Sequence, residues 1–218
     1  MQNKNIFCAL LAILFISVPA WSLTIKATAS DMKFEDMTLT QMTQIEDQGA
    51  STDLQSYSHG LRKKKVFGLV TVNVYVAEFL AAHPDKLAKT ENQFVDSFSD
   101  AGPTQLKLTM VRDLKGSDIS KAFTESLEAN KITAANMAPE LKNVLEEVKA
   151  IAEFKNKDVF SLVSIIKDGK GTLHIQKPDG SIKTFSGPAL FLQQLFSIWF
   201  GTPSDPKLGD LKKTLMKI

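Results

Sequence analysis

Two side chains in this sequence, Arg62 and Tyr75, have the chemistry to bind a carboxylate. A guanidinium offers two parallel N–H donors that match the two oxygens of a carboxylate, and a phenol can add a third hydrogen bond. The pair is therefore a candidate carboxylate clamp. A plainer interpretation stays open, in which Arg62 pairs with a carboxylate at a sheet edge and Tyr75 is half-buried packing.

Other chemistries find little support in the residue pattern. His59, His83 and His174 are far apart and form no metal-binding motif, so we expect no metal. The glycines form no phosphate-binding cluster and no Gly-x-Ser-x-Gly occurs, so we expect no cofactor and no serine hydrolase. The chain of 218 residues has 26 basic and 24 acidic residues, and its formal charge of +2 argues against nucleic acid as a partner.

The clamp requires that Arg62 and Tyr75 lie on the same face of a sheet. They are thirteen positions apart, an odd number, so a single continuous strand would place them on opposite faces. A turn or bulge at Gly68 would make two adjacent strands and bring both side chains to one face. The second strand is predicted from Leu69 to Leu80, because this run is rich in β-branched residues and has no proline.

The two faces of this predicted strand differ in character. The face with four alternating valines is interpreted as core (Val70, Val72, Val74 and Val76). The opposite face combines Thr71, Asn73 and Tyr75 with apolar residues, which is typical of a ligand cleft. Thr71 and Asn73 are therefore further candidate ligand-binding residues.

Periodicity predicts the remaining elements. Strands are expected at residues 23–28, 105–112, 159–166, 171–177 and 181–185; between the first of these and about Leu54 the chain is polar. Helices are expected from Gly116-Ser117, from Pro139 to Ile151, from Pro188 to Phe200, and over Leu208 to Ile218. Strands in two groups, with helices between and after them, predict an α+β fold in which helices cover one face of an antiparallel sheet.

Residues 1–22 are predicted to be a signal peptide, and residues 23–218 a single domain. Lys4 precedes an apolar run from Ile6 to Val18, and Ala20-Trp21-Ser22 places small residues where a signal peptidase cleaves. We therefore expect an exported, soluble protein without stable membrane insertion after cleavage, periplasmic if the source is a Gram-negative bacterium. Cys8 lies in the predicted signal, so no disulfide is expected.

Three segments resemble the chalcone isomerase-like proteins: SHGLRKKKVFGLVTVNVYVAEFLA, LKLTMVRDLKGSDISKAFTESLEAN and LFSIWFGTPSDPKLGDLKKTLM. The resemblance covers essentially the whole chain after the predicted signal and is closest to the bacterial secreted branch. It implies an open-faced β-sandwich, in which a large antiparallel sheet and a helical layer enclose a cleft. Arg112-Asp113 also resembles an Arg-Asp pair of the family. We interpret it as an ion pair at the end of a strand, with a second anion site as the alternative.

The resemblance implies two functional types. Plant chalcone isomerases use an arginine, a threonine on the next strand, and a tyrosine, a lysine and an asparagine on a helix. The threonine position falls on Tyr75 here, and the helix positions fall on Ile119, Ala122 and Ser126. Ile119 and Ala122 cannot stabilise an enolate, so chalcone isomerase activity is not expected. Fatty-acid-binding relatives pair the arginine with a tyrosine, as Arg62 and Tyr75 would.

The primary hypothesis is therefore a non-catalytic binder of a fatty acid or similar amphipathic carboxylate. One alternative is an isomerase or lyase that acts on an unidentified enone-like or acyl substrate. Another is a scaffold with a vestigial cleft.

Overall fold

The computed structural model describes residues 23–47, 49–66 and 69–218. The predicted signal peptide, residues 1–22, and Gly68 lie outside these described residues.

The core of the fold is one antiparallel sheet in which each of eight strands pairs with its neighbours in the chain. The strands are β1 (Thr24–Phe34), β2 (Met37–Asp47), β3 (Ala50–Val66), β4 (Val70–Ala81), β5 (Thr104–Met110), β6 (Val159–Lys167), β7 (Lys170–Gln176) and β8 (Ile182–Pro188). The polar stretch after the first predicted strand forms most of β1, all of β2 and the start of β3. Residues 58–61, which precede Arg62, lie inside β3.

In the described part of the chain, five α-helices accompany the sheet: α1 (Phe98–Ala101), α2 (Gly116–Ala129), α3 (Pro139–Ala150), α4 (Leu190–Phe200) and α5 (Pro206–Met216). All five contribute to one large hydrophobic core with the sheet. Helix α4 is apolar on nearly every side because it lies inside this core, where the Phe79, Phe98 and Phe200 rings pack together. The predicted α+β fold is confirmed. Within the described residues, no helix combines the length and apolar character that a membrane crossing needs.

The sheet is curled, so that β2 also covers part of its other face. A second cluster of buried residues forms there from Ile45, Leu54, Leu80 and Val163. Beside it, the backbone amide of Thr40 donates to Glu78 at 2.5 Å, and Lys107 Nζ donates to the same carboxylate at 2.8 Å. The middle strands are therefore buried on both faces.

Strands β3 and β4 form a long hairpin with two register shifts, one between Ser56 and Ser58 and one between Arg62 and Lys63. The second is the β-bulge that bears on the site. Lys63 lies opposite Asn73 and Arg62 lies opposite Tyr75, so Val74 is an extra residue in β4. Residues directly opposite each other in an antiparallel pair project from the same face. The bulge therefore brings Arg62 and Tyr75 to one face and resets the alternation at Val74, whereas the sequence pointed to Gly68.

Candidate functional site

A cavity of about 260 Å³ lies between the β3–β4 hairpin and helices α2, α4 and α5. Its walls are mainly apolar and are formed by Val72, Val74, Leu114, Ile119, Ala122, Phe123, Ile198 and Leu208. Arg62 and Tyr75 are buried and form a polar group in the lining together with Asp205, which is partly exposed. Charged residues also line the cavity, and two of them, Lys64 and Glu125, are about half exposed and pair with each other at 3.7 Å.

The Arg62 guanidinium makes a two-pronged ion pair with Asp205. Arg62 Nη1 donates to Oδ1 at 3.0 Å and Nη2 donates to Oδ2 at 2.5 Å, while Nη1 also donates to the backbone carbonyl of Lys63. Burial by itself raises the pKa of Asp205, but hydrogen bonds from Arg62 and from the Leu208 amide outweigh it and hold this pKa below its ordinary value. Asp205 is therefore ionised at neutral pH.

Tyr75 lies beside this ion pair and is held by α4. Its hydroxyl oxygen accepts a hydrogen bond from Trp199 Nε1 at 2.9 Å, and the Trp199 ring packs edge-on against Phe123. Burial raises the pKa of Tyr75, although the positive charge of Arg62 acts in the opposite direction. The phenol is therefore neutral at neutral pH and keeps its own proton available for a hydrogen bond.

The structure places the other predicted site residues of β4 away from the cavity. Thr71 and Asn73 precede the bulge and alternate with Val72 and Val74, which line the cavity. Both are exposed, and Asn73 Nδ2 donates to Glu35 Oε2 at 3.3 Å. The prediction that the odd-numbered positions of β4 line the cleft is therefore wrong before the bulge. There the even-numbered Val72 and Val74 line the cavity, and Tyr75 joins them after the bulge.

Helix α2 carries the three positions that match the helix residues of the plant chalcone isomerases. Ile119, Ala122 and Ser126 all line the cavity. Ser126 Oγ donates to the carbonyl of Ala122 and lies 3.0 Å from Ser204 Oγ, near the start of α5. These three positions thus bring an aliphatic side chain, a methyl group and one hydroxyl to the cavity lining.

Arg112 and Asp113 do not form the expected ion pair. Asp113 Oδ1 accepts a hydrogen bond from the amide of Asn156 at 2.7 Å. Among the residues that the structure describes, Arg112 has no salt-bridge partner, and its side chain lines the cavity. The interpretation as an ion pair is therefore wrong, and Arg112 is a cation beside the cavity.

Sequence reasoning did not point to Asp205 or Trp199. Asp205 stands before Pro206 and is the N-cap of α5, a role that Asp-Pro at a helix start could have indicated. No local signal reveals that it also meets Arg62, which is 143 positions away. Within the described part of the chain, no group of three or more His, Cys, Asp or Glu residues could hold a metal ion.

An antiparallel sheet, a helical layer and a cavity between them define a chalcone isomerase-like fold. Residues 31–216 match the protein family described as chalcone isomerase-like, and the chain belongs to this family. None of the curated proteins matches the chain. Its structure is similar to the crystal structure of a fatty-acid binding protein of Arabidopsis thaliana, AtFAP1, with a TM-score of 0.55 and 18% sequence identity over 80% of this chain and 98% of that chain.

Proposed function

We propose that the protein is a non-catalytic binder of a fatty acid or a similar amphipathic carboxylate. The observation that carries this proposal is the mainly apolar cavity, with a buried guanidinium and a neutral phenol on its inner side. The relative from Arabidopsis thaliana is named a fatty-acid binding protein, which supports a ligand of this class.

The ligand would lie with its acyl chain against α2, α4 and the valines of β4. Each methylene buried there stabilises the complex by about 0.8 kcal/mol. The volume of about 260 Å³ is slightly below the roughly 300–1,000 Å³ of sites for drug-sized ligands. This size favours an acid of medium chain length. Its carboxylate would accept hydrogen bonds from Arg62 and from the hydroxyl of Tyr75.

Calorimetric titration with decanoic acid and decanol tests the proposal. Arg62→Ala should weaken binding of the acid by roughly 2–4 kcal/mol, because a buried carboxylate loses its charged partner. Tyr75→Phe should cost about 1 kcal/mol, since one hydrogen bond is lost and the ring is kept. Decanol should bind poorly. Equal affinity for acid and alcohol, unchanged in Arg62→Ala, would mean that Arg62 and Tyr75 are structural.

A second candidate, an isomerase or lyase, is favoured by the titratable residues that line the cavity. Four charged residues belong to the lining: Lys64, Arg112, Asp118 and Glu125. Charged groups in a short, partly exposed pocket are typical of an enzyme active site. Ile119 argues against chalcone cyclisation, because it offers no donor where the plant enzymes have a tyrosine. Purified protein should therefore leave the spontaneous rate of naringenin chalcone cyclisation unchanged. An acceleration that Arg62→Ala abolishes would favour the enzyme.

We also propose that the protein is exported and begins near Leu23. The apolar run from Ile6 to Val18 and the small residues Ala20 and Ser22 support cleavage at this point. Amino-terminal sequencing of the protein from the exported fraction of its own host tests this proposal. A chain that starts at Met1 in a membrane fraction would contradict it.

A further inference from the structure

We propose that Asp205 is an internal substitute for the ligand carboxylate, and that a fatty acid binds by displacing it from Arg62. This inference rests on the proposed function, because it describes how the same cavity takes its ligand. Asp205 would then set both the affinity of the cavity for its ligand and its preference for acids over alcohols.

The geometry of the ion pair is that of a bound carboxylate. Both oxygens of Asp205 accept from the two terminal nitrogens of Arg62, at 3.0 and 2.5 Å. This parallel arrangement is the one in which a guanidinium best binds a carboxylate. A ligand acid that approaches Arg62 from the cavity therefore meets donors that Asp205 already uses.

Burial differs between the two partners in the direction that an exchange requires. The side chain of Arg62 is 8% exposed, whereas that of Asp205 is 29% exposed. Arg62 is thus held within the fold, and Asp205 approaches it from the solvent side. Asp205 can turn towards water without opening the hydrophobic core.

Electrostatics disfavours a complex in which both carboxylates stay. Two carboxylates beside one guanidinium would leave a net negative charge in a buried site, and like charges at short distance repel strongly. If the ligand replaces Asp205, the charge next to Arg62 is unchanged. Exchange is therefore the favoured mode of binding.

The exchange also involves the start of α5. Asp205 Oδ1 accepts a hydrogen bond from the amide of Leu208 at 2.9 Å and so caps this helix. Asparagine and serine cap helices about as well as aspartate. Asp205→Asn and Asp205→Ser therefore remove the charge while the helix keeps a capping side chain.

The test is calorimetric titration of decanoic acid and decanol into the wild-type protein and these two variants. Both variants should bind decanoic acid about tenfold tighter or more, since no internal carboxylate competes for Arg62. Their affinity for decanol should change little. Asp210→Asn is the matched control, because Asp210 lies on the same helix, is 65% exposed and pairs with Lys207 at 2.9 Å. It should bind decanoic acid within about twofold of the wild type.

A second measurement uses the wild-type protein alone and so does not depend on the folding of a variant. Decanoic acid should speed hydrogen exchange at the Leu208 amide, because departure of the Asp205 side chain removes its capping hydrogen bond and leaves only the longer bond to the Asp205 backbone carbonyl at 3.1 Å. Decanol, which does not compete for Arg62, should leave this exchange unchanged. Unchanged exchange at Leu208 with bound decanoic acid would overturn the displacement.

The remaining outcomes separate this inference from the proposed function. Wild-type binding of decanoic acid with no gain in either Asp205 variant overturns the exchange and leaves the binder intact. Loss of affinity in Arg112→Ala but not in Arg62→Ala would also overturn it, with the carboxylate bound at Arg112. An equal gain in affinity for decanoic acid and decanol would also overturn the exchange, because the gain would then come from added space and not from the removed charge. No binding in any form would overturn both proposals.

Discussion

Gly116 permits a backbone contact between α2 and the end of α3, and its replacement by alanine should destabilise the fold. A Cβ at this position would lie 2.0 Å from the carbonyl oxygen of Ile151 and 2.5 Å from that of Val148. An ordinary van der Waals contact is at least 3.4 Å. Because both obstructing atoms belong to the backbone, no side-chain rotation can relieve the overlap, and the two helices must move apart.

The expected loss of stability is about 3 kcal/mol, near the upper end of the usual cost of overpacking. For a domain of this size, that loss corresponds to a fall in melting temperature of roughly 6–12 °C. Urea unfolding followed by circular dichroism measures the free energy, and a thermal scan gives the melting temperature.

Gly209 provides the matched control, because it is also a helical glycine. A Cβ there would lie 3.4 Å from Pro203 Cγ, which is an ordinary contact. Gly209→Ala should therefore stabilise the protein by about 0.5–1 kcal/mol through helix propensity. If Gly116→Ala were as stable as the wild type, the close packing of α2 on the end of α3 would be refuted.

Two further predictions concern buried polar groups on the other face of the sheet. The buried His174 forms a hydrogen bond through Nδ1 with Thr184 Oγ1 at 2.9 Å, and its Nε2 has no hydrogen-bond partner among the residues that the structure describes. Burial lowers the pKa of His174, against the weaker opposing effect of Asp47. As the pH falls below about 6.5, His174 therefore takes up a proton more readily in the unfolded chain than in the folded one. The free energy of unfolding should then decrease by up to about 1.4 kcal/mol per pH unit until the pKa of the folded state is reached. Urea unfolding between pH 7.5 and 5 should show this dependence, and His174→Gln should weaken it; an identical pH profile in the variant would contradict the assignment. Glu78→Ala should cost about 3–5 kcal/mol, because it removes the carboxylate that pairs with Lys107 and accepts from the Thr40 amide, and leaves Lys107 with only the Thr40 hydroxyl. Glu46→Ala, which breaks an exposed pair with Lys26 at 3.6 Å, should cost less than about 1 kcal/mol. Equal losses in these two variants would refute the distinction.

Hydrophobic periodicity was sufficient for β4 to β7 and for helices α2 to α5, because each buries an apolar stripe or run. Strand β8 also lies close to its predicted position, although none of its residues is buried. The N-terminal strands were harder to predict. Exposed residues dominate β1, and only short parts of β2 and β3 are buried, so their alternation is weak. The burial of β2 against β4 and β6 arises from the curl of the sheet, which no local pattern encodes.

The candidate site was predictable in its chemistry but not in its register. Arg62 and Tyr75 could be paired from their types and the family resemblance, although their odd spacing required a break in the strand alternation between them. The bulge that places them opposite each other lies at Val74, which has the same residue type as its neighbours on that face. Thr71 and Asn73 were therefore assigned to the wrong face, since a one-residue change of register exchanges the two sides of a strand.

The negative charge of Asp205 favours the binding of an acid at this site over catalysis on a neutral enone. A fatty acid brings its own negative charge, so the proposed exchange with Asp205 would leave the charge around Arg62 unchanged. Cyclisation of a neutral enone would instead create an enolate charge beside an arginine that a carboxylate already neutralises, and catalysis depends on groups that stabilise charge where it develops. Ile119 and Ala122, which line the same cavity, provide no compensating donor or positive charge where the plant enzymes have a tyrosine and a lysine. The same two features, a paired guanidinium and an aliphatic wall, therefore favour an acid ligand over a reacting enone.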